Sequence, residues 1–307
     1  MEKRIMDERN WKEIIEDARW APSAYNAQPW LFRLEGRQMT LLSRPERRRP
    51  VIDPENRETL ISLGAMVYSI RVAAAARGLG VEEEWLIRER FDREIVRFAL
   101  FEEGNGGRNE RAGETRELIR SVRTWRREYH HEAIPDEDLQ RIASVGGERM
   151  SVAVKGSSAH RTVVNLSVDA AVAHANRREI YDELAPFLYH PKRSGESSFG
   201  IVSPVSERMG VRAFLWNRLS TKRTAMRKGY RAGTITDARD LLHQAPALLQ
   251  LRVDSDDPRE LIEIGILYQR IRLEAGRLGL ATQPISLLPQ MAAVSEIELP
   301  EELQGMQ

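Results

Sequence analysis

Apolar residues recur at helical spacing near the start of the chain. Trp11, Ile14, Ile15 and Ala18 fall at i, i+3, i+4 and i+7, which predicts an amphipathic helix over residues 10–20. The pattern then breaks. Residues 21–36, APSAYNAQPWLFRLEG, leave the helix through Pro22, Ser23 and Asn26 and pass Gln28-Pro29-Trp30 into a strand. RQMTLLSRP predicts a second strand. DPENRETLISLGAMVYSIRVAAAARGLG, opened by Asp53-Pro54 and closed by Gly78 and Gly80, predicts a long apolar helix, and EIVRFALFEE a further strand. The Gly-rich, charged stretch 102–114, EEGNGGRNERAGE, reads as a linker.

Beyond it, TRELIRSVRTWRREY and IPDEDLQRIASV have helical periodicity. APALLQLRVD reads as a strand, and PRELIEIGILYQRIRLEAGRLGL as a second long helix ending at Gly279. Residues 185–235 show no clear period and carry a basic run between Arg212 and Arg231. That run fits a lid over a phosphate-bearing ligand or a nicotinamide cofactor, and equally a solvated helix.

The two long helices resemble each other. With residues 60–79 shifted by 201 positions, Leu60, Ile61, Gly64, Ile70, Arg71, Ala74, Gly78 and Leu79 fall on Leu261, Ile262, Gly265, Ile271, Arg272, Ala275, Gly279 and Leu280. Composition alone supplies apolar matches, but Gly64 and Gly265 are mid-helix, where Gly costs roughly 1 kcal/mol relative to Ala. Close helix–helix approach would compensate. The expectation is an internally duplicated α+β fold: a first repeat over 1–101, the linker, and a second repeat over 115–307 that contains the 185–235 insertion. The long helices would form the central interface of a pseudo-dimer.

Composition narrows the chemistry. Of 307 residues, 41% are hydrophobic and 30% charged, and the net charge is +1. That gives a sizeable core and no overall field toward nucleic acid or membrane, so neither is an expected partner. The sequence has no cysteine, which excludes disulfides, thiolate metal sites and Cys nucleophiles. The opening MEKRIMDERNWKEI has no apolar signal core, and no 18-residue apolar run stands out, so the expected location is the cytoplasm. Hydrolase, zinc-protease, P-loop and complete dinucleotide-fingerprint motifs are missing. His130 and His131 are adjacent and so do not face one ligand; no metal is expected. Arg44–Pro50, RPERRRP, reads as a solvated basic loop. The loop residues Ser23, Asn26 and Gln28 either satisfy their own turn or hydrogen-bond a ligand.

Four segments, PSAYNAQPW, the first long helix, RSVRTW and GILYQRIRLEAGRLGLATQPI, together resemble the flavin-dependent nitroreductase superfamily, in particular its Acg-like branch of fused two-repeat proteins. The resemblance implies an FMN site shared between the halves. The second half would supply Arg120, Ser121 and Arg123, one helical turn apart, and Pro284, Ile285, Ser286 and Leu287 along the flavin. The first half would supply Pro22, Ser23, Asn26 and Gln28. The complementary site lacks both motifs, so one FMN per chain is expected. Arg126 and Arg127, outside the motif, should matter less, and Trp30 should be core. The resemblance implies an oxidoreductase drawing on NADH or NADPH and reducing a nitroaromatic, quinone or similar small-molecule acceptor; the alternative is an FMN storage protein that turns over poorly. The flavin would carry the chemistry, with no catalytic side chain and no metal. The chain would be a pseudo-dimeric monomer or a homodimer of such units. A further apolar strand, able to bring a basic residue to the phosphate, is implied beyond the closing EELQGMQ.

Overall fold

The computed structural model describes residues 2–102, 110–126, 128–130, 132–189, 201–202 and 222–294. Helix α1 (Glu2–Ala18) leads through a single 3-10 turn at Ala24–Asn26 into strands β1 (Trp30–Glu35) and β2 (Gln38–Ser43). Helix α2 (Arg57–Ala75), β3 (Leu79–Trp85) and β4 (Glu94–Glu102) come next. Then come α3 (Glu110–Ser121), α4 (Asp136–Gly146), β5 (Met150–Val154), α5 (Ser158–Asn176), α6 (Arg178–Leu184) and the short strands β6 (Leu188–Tyr189) and β7 (Ile201–Val202). Helix α7 (Lys222–Gln244), β8 (Ala247–Leu251), α8 (Pro258–Arg277) and α9 (Leu287–Val294) complete the described chain.

The first four strands make one antiparallel sheet in the order β1-β2-β4-β3, with a bulge between Leu41 and Leu42. β4 buries Val96, Phe98 and Leu100 while Arg97 and Ala99 stay half-exposed, the alternation of a one-sided sheet. α1 and α2 cover that buried face: Trp11, Ile14 and Ala18 join Leu60, Leu63, Met66 and Phe98 in one core, which Leu261 and Ile262 of α8 enter from the other half. Trp30 lies in this core, 6% exposed, as expected from the sequence. In the second half β5 pairs antiparallel with β8, from Met150 opposite Leu251 to Val154 opposite Ala247. Four strands were missed from sequence, β6 and β7 because each is only two residues long. β3, LGVEEEW, carries three consecutive glutamates that hide its period, and β5 is only five residues long.

Helix α2 is buried on nearly every side, which explains its apolar sequence. Its mean hydropathy of 1.2 would let it span a membrane by composition, but 72% of that window is buried inside the protein. Asp53 anchors its start: Oδ1 accepts from Glu58 N, and Oδ2 from Thr59 N and Thr59 Oγ1, each at 3.1 Å. Gly78 (φ 71°) closes α2 and Gly279 (φ 73°) closes α8, both left-handed, as Gly permits.

α2 and α8 cross backbone to backbone. A Cβ on Gly64 would overlap the carbonyl oxygen of Ile262, and a Cβ on Gly265 would overlap the carbonyl oxygen of Ile61. Beside this crossing, buried Gln269 Nε2 donates to Ser69 Oγ at 3.1 Å. Away from it, Arg57 pairs with Asp256 at 2.7 Å and Arg90 pairs with the same carboxylate. Glu183 of α6 accepts from Val51 N and Ile52 N at 2.8 and 2.9 Å. These contacts close the first part of the chain onto the second.

Several expectations are corrected. α3 ends at Ser121, so Arg120 and Arg123 do not share a helix face. Beyond Ser121 the chain is no longer helical: Thr124 bridges Thr282 in parallel and Trp125 N donates to Thr282 O at 2.9 Å. α3 also begins at Glu110, inside the stretch read as a linker. Helix α7 begins inside the 185–235 region read as an irregular insertion and runs past its end; residues 190–200 and 203–221, with the first half of the lid-like basic run, lie outside the described residues.

The glycine crossing gives a stability test. The atoms facing Gly64 are backbone and cannot rotate away, so Gly64→Ala should destabilise by about 1–3 kcal/mol despite its better helix propensity. Gly113 in α3 has open space around it, so Gly113→Ala should stabilise by up to about 1 kcal/mol. Denaturant unfolding of both variants reads the difference, and equal shifts would contradict the close crossing.

Candidate functional site

The polar residues of the seam gather where the loop after α1 meets the segments after α3 and α8. The loop is strained: Tyr25 (φ 54°), Asn26 (φ 50°) and Gln28 (φ 50°) are all left-handed without being glycine, and each such residue costs of order 1 kcal/mol or more. Local hydrogen bonds hold it. Asn26 N donates to Ser23 O, Gln28 N to Ser23 Oγ at 3.0 Å, and Ala24 N to Ser62 Oγ of α2 at 3.1 Å. Ser23 and Asn26 thus serve the turn itself, and Gln28 Nε2 reaches Asn26 Oδ1 at 3.5 Å. Pro22 starts the turn half-buried.

Arg49 supports this loop from below. It is 1% exposed, which corrects the reading of Arg44–Pro50 as wholly solvated. Its Nη1 donates to Ala24 O at 2.8 Å and its guanidinium lies over the rings of Tyr25 and Phe187. Its Nε and Nη2 have no hydrogen-bond partner among the described residues. Tyr25 packs with Leu287, Leu288, Met291 and Tyr230 of the second half. Burial raises the Tyr25 hydroxyl well above its ordinary range, with Tyr230 adding to the shift and Arg49 opposing it.

The facing rim comes from α8 and the segment between α8 and α9. Tyr268 and Arg272 sit one turn apart on α8. Arg272 is 3% exposed and donates from Nη2 to Val122 O at 2.7 Å, fixing the end of α3. Burial pushes Tyr268 up to about 12, opposed by Arg272 and Arg126 and reinforced by Glu58. Glu58, in the first turn of α2, lies between the rims, where Ser286 and Gln290 favour its ionised form. Gln290 Nε2 donates to Ser286 Oγ at 3.0 Å. Burial lifts Glu58 from 4.5 to about 7; Asp53 adds to this, and Arg49, Ser286 and Gln290 oppose it.

The structure therefore joins some of the sequence-predicted residues and separates others. Ser286 joins the seam through Glu58, and Leu287 through the Tyr25 cluster; Pro284 and Ile285 are exposed on its edge. Arg123 stacks over Trp20, 4.7 Å from the ring centre, beside the strained loop. Arg120 faces α1 instead, 3.7 Å from Asp17, and Ser121 Oγ bonds back to Glu117 O. Arg126, expected to matter less, couples electrostatically to both Tyr25 and Tyr268. Arg127 and His131 lie outside the described residues. Sequence reasoning missed Tyr25, Arg49, Glu58, Tyr268, Arg272 and Gln290. Tyr268 and Arg272, polar at i and i+4 on an otherwise apolar stripe, were the signal available.

Several buried polar atoms along the seam lack partners, as do others elsewhere among the described residues, such as Thr40 Oγ1 and His174 Nδ1. Tyr268 Oη, Arg272 Nε, Thr282 Oγ1, Gln283 Oε1 and Gln290 Oε1 are buried with no hydrogen-bond partner among the described residues. Each such atom costs about 1–3 kcal/mol if left unmet. Donors, acceptors and the cations Arg49, Arg123, Arg126 and Arg272 suit an anionic ligand rich in hydrogen-bonding groups.

A mixed helix-and-sheet protein with such a seam has relatives. The family model described as Nitroreductase family matches residues 119–307, more than half of the chain. This chain belongs to the nitroreductase family. Two Mycobacterium tuberculosis proteins, from strains H37Rv and CDC 1551, carry the provisional name NAD(P)H nitroreductase. Each is 32% identical over 78 residues, which is 25% of this chain and 23% of the relative. The chain spans less than a quarter of the length of these curated relatives.

Glu58 makes stability depend on pH. Between 4.5 and about 7, the folded protein holds a proton that the unfolded chain releases. Stability is therefore lost as pH rises through that window and is level above it. Relative to wild type, Glu58→Gln should gain about 2–3 kcal/mol between pH 4.5 and pH 8. Urea unfolding at both pH values measures this, and an unchanged difference would mean that Glu58 titrates normally.

Proposed function

We propose that this chain binds one FMN in the seam between its halves and uses it to carry electrons from NADH or NADPH to a nitroaromatic, quinone or similar small acceptor. Family membership supports the reaction class. The observation that carries the placement is the set of buried, unpartnered polar atoms on Tyr268, Arg272, Thr282, Gln283 and Gln290.

The residues present fit this cofactor. Arg123, Arg126 and Arg272 are the cations that would hold its phosphate or its electron-rich pyrimidine edge. Gln283, Ser286 and Gln290 would meet hydroxyl and ring polar groups, and Pro284, Ile285 and Leu287 would provide an apolar wall. From the first half, Pro22, Ser23, Asn26 and Gln28 form a stiff cover with backbone groups turned by the left-handed residues. Arg120 and Ser121 contribute through the shape of the α3 end. The bound isoalloxazine ring supplies the hydride and electron chemistry. The chain binds it, orients it, excludes water and tunes it through nearby cations.

The same proposal includes an origin by internal duplication, as in the Acg-like branch. Gly64 meets Ile262 and Gly265 meets Ile61, a reciprocal contact at the 201-residue offset of the sequence match, as an isologous interface would give. The paired left-handed Gly78 and Gly279 share that offset.

The test is anaerobic stopped flow on FMN-loaded protein with excess NADH or NADPH. Flavin bleaching within seconds, then reoxidation by a nitroaromatic or a quinone, is the expected result. Flavin left oxidised for many minutes by both nicotinamides, but reduced by dithionite, would overturn the reductase reading in favour of flavin storage.

A further inference from the structure

Ala24 precedes the left-handed residues Tyr25 and Asn26, and both of its backbone polar groups are tied down. Its N–H donates to Ser62 Oγ of α2 at 3.1 Å, and its carbonyl accepts from Arg49 Nη1 at 2.8 Å and from Ala27 N at 3.1 Å. Arg49 is itself fixed to the start of α2. Asp53 N donates to Arg49 O at 2.7 Å, and the Asp53 carboxylate accepts from Glu58 N and Thr59 N of that helix. The guanidinium lies 5.3 Å from the centre of the Tyr25 ring and 5.9 Å from that of Phe187. One side chain therefore grips the loop twice, by a carbonyl and by the ring of its first left-handed residue.

Arg49 is a poor choice for stability alone. It is 1% exposed, and its Nε and Nη2 have no hydrogen-bond partner among the described residues. Aromatic faces compensate a buried cation only in part. An apolar side chain of similar volume in place of an incompletely paired buried charge is often neutral or stabilising. Ala24 O would keep Ala27 N as a partner in such a variant. What the apolar side chain could not do is hold the carbonyl, and without that restraint the loop relaxes toward backbone of lower energy. A loop already in its binding geometry spares a ligand the cost of ordering it.

We propose that Arg49 is a positioning residue: it keeps the loop over the seam in its left-handed form, ready for the cofactor, and lowers fold stability in doing so. This rests on the flavin reading above and adds to it a residue that acts through the loop.

Arg49→Met tests the inference. In apoprotein, amide hydrogen exchange at Ala24, Asn26 and Gln28 should be about tenfold faster than in wild type, the effect of losing one hydrogen bond from a charged donor. Exchange in residues 63–70 of α2 should not change, and the midpoint of urea unfolding should be equal or higher. The FMN dissociation constant should rise by about tenfold, as the bound loop geometry must now be formed on binding. Arg49→Lys, which keeps the charge and a donor, should lie between wild type and Arg49→Met in exchange and in affinity, and stands in if the Met variant folds poorly. A lower unfolding midpoint with faster exchange throughout α2 would make Arg49 an ordinary structural residue and overturn the inference. So would unchanged exchange in the loop, or faster exchange with unchanged FMN affinity; each leaves the flavin site intact. No FMN binding by wild type would overturn both.

Discussion

The crossing of two helix backbones at Gly64 and Gly265 is the constraint on which the rest depends. A side chain at either position would occupy the space of the other helix's carbonyl oxygen. With that separation fixed, Gln269 reaches Ser69 across the interface, and the next polar positions on α8, Tyr268 and Arg272, fall beside the start of the seam. The first turn of α2 then brings Glu58 against Ser286 and Gln290 at the start of α9. A wider crossing would separate these pairs, because they belong to different thirds of the chain and share no local hydrogen bond.

The seam assembled by this crossing is costly in isolation. Arg49 and Arg272 are buried cations with unpartnered nitrogens, and three left-handed residues crowd one loop. Burying charge without full compensation opposes folding, as does strain of this kind. The core of Trp11, Met66, Phe98 and Ile262 supplies the offset. Backbone strain and a buried guanidinium meet at this seam, in the loop around Tyr25 and in Arg49 beneath it.

The legibility of the sequence tracked the range of the interactions. α2, α8, β1, β2, β4 and β8 were readable because periodicity and end signals are local, and the glycine pair announced the close approach. The extent of α3 was not: the helical pattern ran on through Arg123, but the pairing of Thr124 with Thr282, more than 150 residues away, drew the chain out at Ser121. That one pairing turned Arg123 toward Trp20 and left Arg120 with Asp17. Arg49 looked solvated because its neighbours Arg47 and Arg48 carry the same charge; only the packing of Tyr25 and Phe187 over it makes it interior. Glu58 read as an ordinary first-turn acid, and its titration is shifted by groups from both ends of the chain.

The central claim is that both rims of one cofactor site come from a single chain. Native mass spectrometry of the FMN-loaded protein tests it most directly, by counting chains and flavins in the same particle. A single chain that retains one FMN when dilution dissociates any higher assembly is the expected result. Flavin found only on dimers, and lost whenever they separate, would contradict it.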